Sequence, residues 1–178
     1  ELMAQCKEMG IAPKYLVCGS GSQGTFGGLW LGAKYYGAPF EVLGVTINPA
    51  TPRTPDSCAE YINRMSEMYG LGVTAKGEEI RLFKGNREEN YSGVAYNTPD
   101  PVTRAHIALL ARTEAIFLDP CYTGKVFHGF VDMVKSGIIP KGESAIFLHT
   151  GGIPALWTKE HLDSFQEELW GEGSSHTI

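Results

Sequence analysis

The chain has 178 residues, of which 43% are hydrophobic and 20% charged, and its formal net charge is −5. The length fits one ordinary domain of ~100–200 residues, and the composition is too apolar for a disordered chain. An acidic balance without a Lys/Arg cluster excludes a basic nucleic-acid footprint, and no apolar run approaches the ~20 residues of a membrane-spanning helix.

Residues Glu1 to Met9 read as the interior of a helix, with Leu2, Cys6 and Met9 on one face and Gly10 as its end. No capping residue, start methionine, basic leader or apolar h-region precedes it, so a chain cut from something longer is expected, without a signal peptide. Tyr15 to Cys18 is a short apolar strand that runs into a Gly-rich turn, Gly19 to Gly24. A helix is expected from Thr25 to Tyr36, with Phe26, Leu29, Trp30 and Ala33 at helical spacing. Val42 to Ile47 is a second buried strand, continuous in apolar residues as parallel strands are. Pro49 to Pro55 is a turn-rich connector, and Asp56 or Ser57 is the expected cap of a helix running to about Tyr69. Glu79 to Phe83 reads as a short strand, and residues 84–98 as polar and irregular.

Pro101 to Arg112 reads as a helix with Ile107, Leu110 and Ala111 on its apolar side. Ala115 to Leu118 is expected as a third buried strand, Lys125 to Lys135 as a helix and Ala145 to Leu148 as a further buried strand. The last helix spans roughly Lys159 to Trp170. Residues 1–170 therefore read as one α/β domain, and 171–178 as a frayed tail. Repeated strand–loop–helix units predict an open, mainly parallel sheet with helices on both faces, a three-layer αβα arrangement. In such sheets ligands bind beyond the carboxyl ends of the strands, where three Gly-containing loops fall.

The first of these loops is Gly19-Ser20-Gly21-Ser22-Gln23-Gly24-Thr25. Small residues between a strand and a helix let backbone N–H groups converge on an anion, and the helix start adds its positive end. Gly19, Gly21 and Gly24 also match the GxGxxG dinucleotide pattern, which requires an acid at the end of the next strand. That strand ends Thr46-Ile47-Asn48, so a phosphate cradle is favoured over NAD. A Gly-rich turn that binds nothing is the bland alternative.

The second loop, Asp119-Pro120-Cys121-Tyr122-Thr123-Gly124-Lys125, brings a phenol, a hydroxyl and an ammonium to one strand end. Its alternative is a helix start capped by Thr123 with a solvated Lys125. Gly124-Lys125 lacks the rest of a P-loop. The third loop is His149-Thr150-Gly151-Gly152, where Thr150 can face a ligand and His149 reads as a structural hydrogen-bonder. No nucleophile elbow is present. His106, His128, His161 and His176 form no metal-like set, and Cys6, Cys18, Cys58 and Cys121 show no CxxC or zinc spacing. Buried reduced thiols, no metal and a cytoplasmic location are expected.

In order along the chain, these three loops, with Leu109-Leu110-Ala111-Arg112-Thr113-Glu114 before the second, resemble one family. It is the D-cysteine desulfhydrase and 1-aminocyclopropane-1-carboxylate deaminase family of pyridoxal-phosphate enzymes, of the tryptophan-synthase β fold. The resemblance covers about residues 1–160 and implies the large-domain portion of a fold-type II enzyme. It implies that Gly21, Ser22, Gln23, Gly24 and Thr25 hold the 5′-phosphate of pyridoxal 5′-phosphate. Thr123 and Thr150 would stand near the ring nitrogen, and Tyr122 would be the catalytic side chain beside a small amino-acid substrate. Tyr96 lies in the substrate-side segment Gly93-Val94-Ala95-Tyr96-Asn97, where the family usually reads Gly-Pro-Gly-Tyr-Gly.

Thr123 stands where the deaminases of the family carry a glutamate, which implies the desulfhydrase-like branch. The implied reaction eliminates a β-substituent such as thiol and yields a 2-oxo acid and ammonia. Ring-opening deamination is the alternative enzyme reading. A non-catalytic fragment or subunit that binds a phosphorylated ligand is the alternative of another class. The family's Schiff-base lysine and its Ser-Asn-rich loop lie in an N-terminal half that nothing here matches. This chain alone is therefore expected to be inactive, as part of an enzyme that is a homodimer at full length or that pairs with a complementary N-terminal chain.

Overall fold

The computed structural model describes residues 1–48, 53–85, 90–98 and 100–170, and of 164 and 166–170 the backbone alone. Its elements in chain order are α1 (Leu2–Glu8), β1 (Tyr15–Ser20), α2 (Gly24–Tyr35), β2 (Glu41–Thr46) and α3 (Pro55–Met68), followed by β3 (Arg81–Phe83), α4 (Pro101–Glu114), α5 (Thr123–Lys135), β4 (Ala145–Phe147) and α6 (Lys159–Trp170). Short 3₁₀ turns cover Gly77–Glu79 and Ile153–Trp157.

The four strands form one parallel sheet in the order β3-β2-β1-β4. Tyr15 of β1 pairs with Glu41 of β2 and with Ala145 of β4, and Ser20 pairs with Thr46, so the three strands start in line and β1 and β2 end together. Successive side chains point to opposite faces, and both faces are covered. Leu16, Cys18 and Val42 pack with Phe26, Trp30, Cys58 and Ile62 of α2 and α3. Val17, Leu43 and Val45 pack with Val126 and Met133 of α5 on the other side. A third cluster joins Ile107 of α4, Phe127 of α5 and Phe165 of α6 around Leu118 and Leu156. Double burial explains why these strands read as unbroken apolar runs.

The order of the strands reverses at β1. From there the chain steps outward to β2 and β3, then returns to add β4 on the other side. α2, which leaves β1, and α5, which precedes β4, lie on opposite faces. The loops that follow β1 and β4 therefore diverge and leave a crevice at their carboxyl ends, the place where open parallel sheets bind ligands.

Several expectations are corrected. Ala115–Leu118 does not join the sheet. Ala115 ends α4 in the left-handed region at φ 56°, and Ile116 and Phe117 are exposed; only Leu118 is buried. The segment is attached beside β4 through the His149 side chain, which bonds the Phe117 carbonyl at 2.8 Å, and lacks the ladder that would make it a strand. α3 is capped by Thr54 rather than Asp56 or Ser57, because Thr54 and Ser57 form a reciprocal capping box behind Pro55. β1 runs on through Gly19 and Ser20, so the turn is confined to residues 21–23. In α1 Cys6 is buried and Met9 is exposed, since the helix ends before Met9 can turn inward. The expected tail, residues 171–178, and most of the expected connector, residues 49–52, lie outside the described residues.

β2 depends on the small size of Gly44. A Cβ there would stand 2.7 Å from both the Phe26 and Leu82 rings and methyls that fill its place. Gly44→Ala is expected to destabilise the fold by about 1–3 kcal/mol, read as a lowered urea midpoint with an unchanged m-value.

Candidate active site at the strand ends

The β1–α2 loop starts where β1 ends. Gln23, the residue before α2, sits in the left-handed region at φ 76° and is buried. Its side chain turns inward, with Nε2 donating to Ser57 Oγ at 3.3 Å and Cys58 Sγ at 3.2 Å. Only its backbone is left to meet a ligand. Ser22, Gly24 and Thr25 are exposed. Among the described residues, no backbone carbonyl accepts from the N–H groups of Gly24, Thr25 or Phe26. These are the orphan donors of a helix start, and they carry its positive partial charge.

Two further unsatisfied groups lie beneath the loop. Ser20 and Thr46, at the paired ends of β1 and β2, are buried, and among the described residues their hydroxyls have no hydrogen-bond partner. The Cys58 sulfur, a weak acceptor, lies beside Ser20. Burial pushes the Cys58 thiol up, against the Gln23 bond and the nearby Arg53 charge, and burial alone pushes Cys18 up to about 12. All four cysteines are free and buried. Cys6, Cys18 and Cys58 are packing thiols in this environment.

The second loop is organised by Asp119. Its carboxylate is fully buried and accepts four hydrogen bonds: from the N–H groups of Cys121, Tyr122 and Thr123 at 2.7–2.8 Å and from Thr123 Oγ1 at 2.6 Å. The Asp119 N–H in turn donates to Thr123 Oγ1 at 2.8 Å. Asp119, rather than Thr123, thus caps α5. The Thr123 hydroxyl is fully buried and has spent its proton on Asp119, which leaves it one lone pair. Lys125 is not solvated. It is fully buried, donating from Nζ to the carbonyls of Ser92 at 2.7 Å and Ala95 at 3.0 Å, and burial pulls its pKa down.

The third loop meets the second. Gly152 is at φ 89°, and a Cβ on it would lie 2.7 Å from the Asp119 carboxyl carbon. The turn needs glycine for both reasons. His149 Nε2 donates to the Phe117 carbonyl while its Nδ1 accepts from the Gly151 N–H at 3.1 Å. Both ring nitrogens are thereby committed to a neutral Nε2–H tautomer, and His149 organises the turn rather than the chemistry. Thr150 is exposed at the tip of this loop.

The segment 90–97 crosses the same edge. Ser92 Oγ donates to the Thr46 carbonyl, and Asn97, in the left-handed region at φ 50°, contacts His161 of α6 through its side-chain oxygen at 3.2 Å. This brings the Tyr96 hydroxyl into direct hydrogen-bonded contact with the Tyr122 hydroxyl, the rings lying edge-on at 5.7 Å. The Tyr122 bond, and then a bond with Cys121, push the Tyr96 phenol well above its ordinary value. Tyr96 stays protonated near neutral pH.

The residues expected at the site therefore fall into three groups. Gly21, Ser22, Gly24 and Thr25 line the open β1–α2 loop, Tyr96 and Tyr122 meet across the edge, and Thr123 lies beneath it. Asp119, Ser20 and Thr46 were not foreseen as parts of the site. The Asp-Pro-x-x-Thr spacing before a helix is a capping signal that could have revealed Asp119. The two strand-end hydroxyls carry no such signal. A cavity lined by Trp30, Lys34, Phe40, Glu41 and Glu79 opens at the opposite edge, beside the start of β2, and belongs to other surface. Among the described residues no His, Cys, Asp and Glu gather as metal ligands, and no helix is long and apolar enough to cross a membrane.

The family model described as pyridoxal-phosphate dependent enzyme matches residues 1–151. The chain belongs to this family. Among curated members, 1-aminocyclopropane-1-carboxylate deaminases are 32% identical over 156 residues in a Bradyrhizobium strain and 31% identical over 156 residues in Rhizobium leguminosarum. Each match covers 88% of this chain and 44% of the relative, so the chain spans under half the length of these pyridoxal-phosphate enzymes. A crystal structure described as an ACC deaminase homologue superposes with a TM-score of 0.70 and 26% identity, over 89% of this chain and 45% of that one. The parallel sheet with helices on both faces is the arrangement the chain shares with that homologue.

Pyridoxal phosphate is the cofactor of the family, and the residues present fit its phosphate. The orphan N–H groups at the start of α2, the exposed Ser22 and Thr25 hydroxyls and the unsatisfied Ser20 and Thr46 hydroxyls all collect at one strand end.

Two outcomes are expected from this geometry. Asp119→Ala leaves three N–H groups and a hydroxyl without their buried acceptor, and is expected to cost about 3–5 kcal/mol of unfolding free energy in urea. His161 is fully buried and its pKa is lowered by burial, partly opposed by the Asn97 contact. A base whose folded pKa is depressed is bound to fewer protons in the folded state, so its contribution to stability is lost as pH falls below about 6.5. His161→Gln is expected to flatten the loss of stability between pH 6.5 and 5, measured by urea denaturation at each pH.

Proposed function

We propose that this chain is the cofactor-phosphate-binding part of a pyridoxal-phosphate-dependent enzyme that deaminates a small amino acid. The observation that carries the proposal is the unsatisfied donor set of the β1–α2 loop, on the same edge as the Tyr96–Tyr122 pair. Main-chain N–H groups of residues 21–25 and the Ser22 and Thr25 hydroxyls bind the phosphate, with the positive end of α2 behind them. The cofactor, when bound, would supply an electron-withdrawing ring that stabilises negative charge developing at the α-carbon of an attached amino acid. Thr123 and Thr150 stand toward its ring nitrogen, Thr123 as an uncharged side chain held by Asp119.

The tyrosine pair handles the proton. In a phenol–phenol hydrogen bond one O–H is used and the other remains free to be delivered. Tyr96 is held protonated, so it keeps the pair acting as a donor, and Tyr122, beside the substrate, is the member in place to transfer a proton.

The names of the relatives favour ring-opening deamination of the 1-aminocyclopropane-1-carboxylate kind. One residue favours the second reading, β-elimination of the D-cysteine desulfhydrase kind: Thr123, where the family's deaminases carry a glutamate. Both yield a 2-oxo acid and ammonia. The full-length protein is proposed to work as a homodimer, or with a complementary chain, in the cytoplasm. The exposed Ile116 and Phe117 beside the end of β4 support a further polypeptide there.

Titration of the chain with pyridoxal phosphate, followed by cofactor fluorescence, is expected to show saturable binding that Ser22→Ala/Thr25→Ala weakens at least about tenfold, or ~1.4 kcal/mol. Binding unaffected by the double substitution overturns the phosphate assignment. With 1-aminocyclopropane-1-carboxylate or D-cysteine added, the chain alone is expected to release no 2-oxo acid, and rapid turnover overturns the reading of it as part of a larger enzyme.

A further inference from the structure

Lys125 is at odds with its surroundings in three ways. It lies in the first turn of α5, the third residue after Tyr122, where the helix end is positive and a cation is disfavoured. Its side chain is fully buried although lysine is almost never so without a paired charge. Among the described residues it forms no salt bridge; Asp100 and Asp119 act on it only at longer range. A local choice that breaks this many rules is retained for a tertiary reason.

That reason is visible in its hydrogen bonds. An ammonium has three donors and no acceptor, and two of the three end on the carbonyl oxygens of Ser92 and Ala95. These carbonyls flank the turn Gly93-Val94 and lie immediately before Tyr96. Gly93 is at φ 65° and Asn97 at φ 50°, so the turn is bent into the left-handed region at both ends and belongs to neither helix nor strand. Further anchors are Ser92 Oγ on the Thr46 carbonyl, the Asn97–His161 contact and the Cys121 thiol against Tyr96 and the Asn97 backbone. Lys125 is the group that reaches its middle.

We propose that Lys125 is the positioning residue of the substrate-side turn: its buried ammonium ties the carbonyls of Ser92 and Ala95 to α5 and so sets the Tyr96 hydroxyl against that of Tyr122, three residues before it on the same helix start. Tyr122 and Lys125 leave the same turn of chain, one to meet the phenol and the other to hold the backbone that carries it. Lys125 thereby couples the two loops without touching substrate. The consequence for turnover rests on the assignment of the tyrosine pair under Proposed function; the tie itself does not.

The test reads the turn directly. Lys125→Met keeps the stem and removes the donors. It is expected to leave the far-ultraviolet circular dichroism and the fluorescence titration with pyridoxal phosphate unchanged within about twofold. Amide hydrogen exchange across 92–97 is expected to rise at least tenfold, and nitration of Tyr96 by tetranitromethane to speed up by a similar factor. Unchanged exchange and nitration in a folded Lys125→Met chain overturn the proposal. Should that variant fail to fold, the unsubstituted chain decides. A slowly exchanging Lys125 ammonium in ¹H–¹⁵N spectra, with through-space contacts to Ser92 and Ala95, supports the tie, and a freely exchanging one overturns it. Failure of the cofactor titration with an intact exchange response removes the cofactor assignment and leaves the positioning role standing.

Discussion

The buried carboxylate of Asp119 is the constraint on which the candidate site rests. A carboxylate taken out of water is costly unless its lone pairs are met, and here four donors within five residues of chain meet them. Meeting them forces residues 119–123 into one tight turn, which starts α5 and fixes the direction in which Tyr122 leaves it. Gly152 packs against the same carboxyl group, so the loop after β4 is located by the loop before α5. One charged group therefore sets two of the three loops.

The sheet places the remaining parts. Its strand order reverses at β1, so the loops after β1 and β4 part company and leave the carboxyl edge open between them. Electrostatics then divide that edge into two unlike halves. At the start of α2, exposed N–H groups, free hydroxyls and the helix dipole favour an anion. At the start of α5 the same kind of helix end is already occupied by the Asp119 carboxylate, which takes the N–H groups of Tyr122 and Thr123. The phosphate of a cofactor therefore belongs to α2, and α5 offers side chains instead: a phenol to the outside and an ammonium to the inside. The two helix starts are chemically alike in isolation and differ because one has its anion built in.

Much of the fold was legible because it depends on local or periodic signals. Strands buried on both faces have to be continuously apolar, and β1 and β2 stand out for that reason. Helix faces repeat every 3.6 residues, and α2, α4 and α5 were placed within a few residues of their observed bounds. Ala115–Leu118 misled because an apolar run records burial or the need for it, and hydrogen-bond pairing is a separate matter. Ile116 and Phe117 are apolar and exposed beside a strand that they do not pair with. The cap of α3 was misplaced by two or three residues because Thr54, Asp56 and Ser57 are all capping types, and only the geometry behind Pro55 selects among them.

The sequence by itself determined the alternation of strand and helix, the three loops at the strand ends and the family to which their order points. Each of these is written within a few consecutive residues. Tertiary structure decided the rest: that Lys125 is buried against the carbonyls of residues 92 and 95, that Tyr96 meets Tyr122 across 26 positions, and that the hydroxyls of Ser20 and Thr46 lie at paired strand ends without partners among the described residues. These relations join residues far apart in the chain, and the spacing along a sequence does not by itself record which distant backbone a side chain will reach. A lysine at a helix start reads as solvated until the carbonyls that desolvate it are in place.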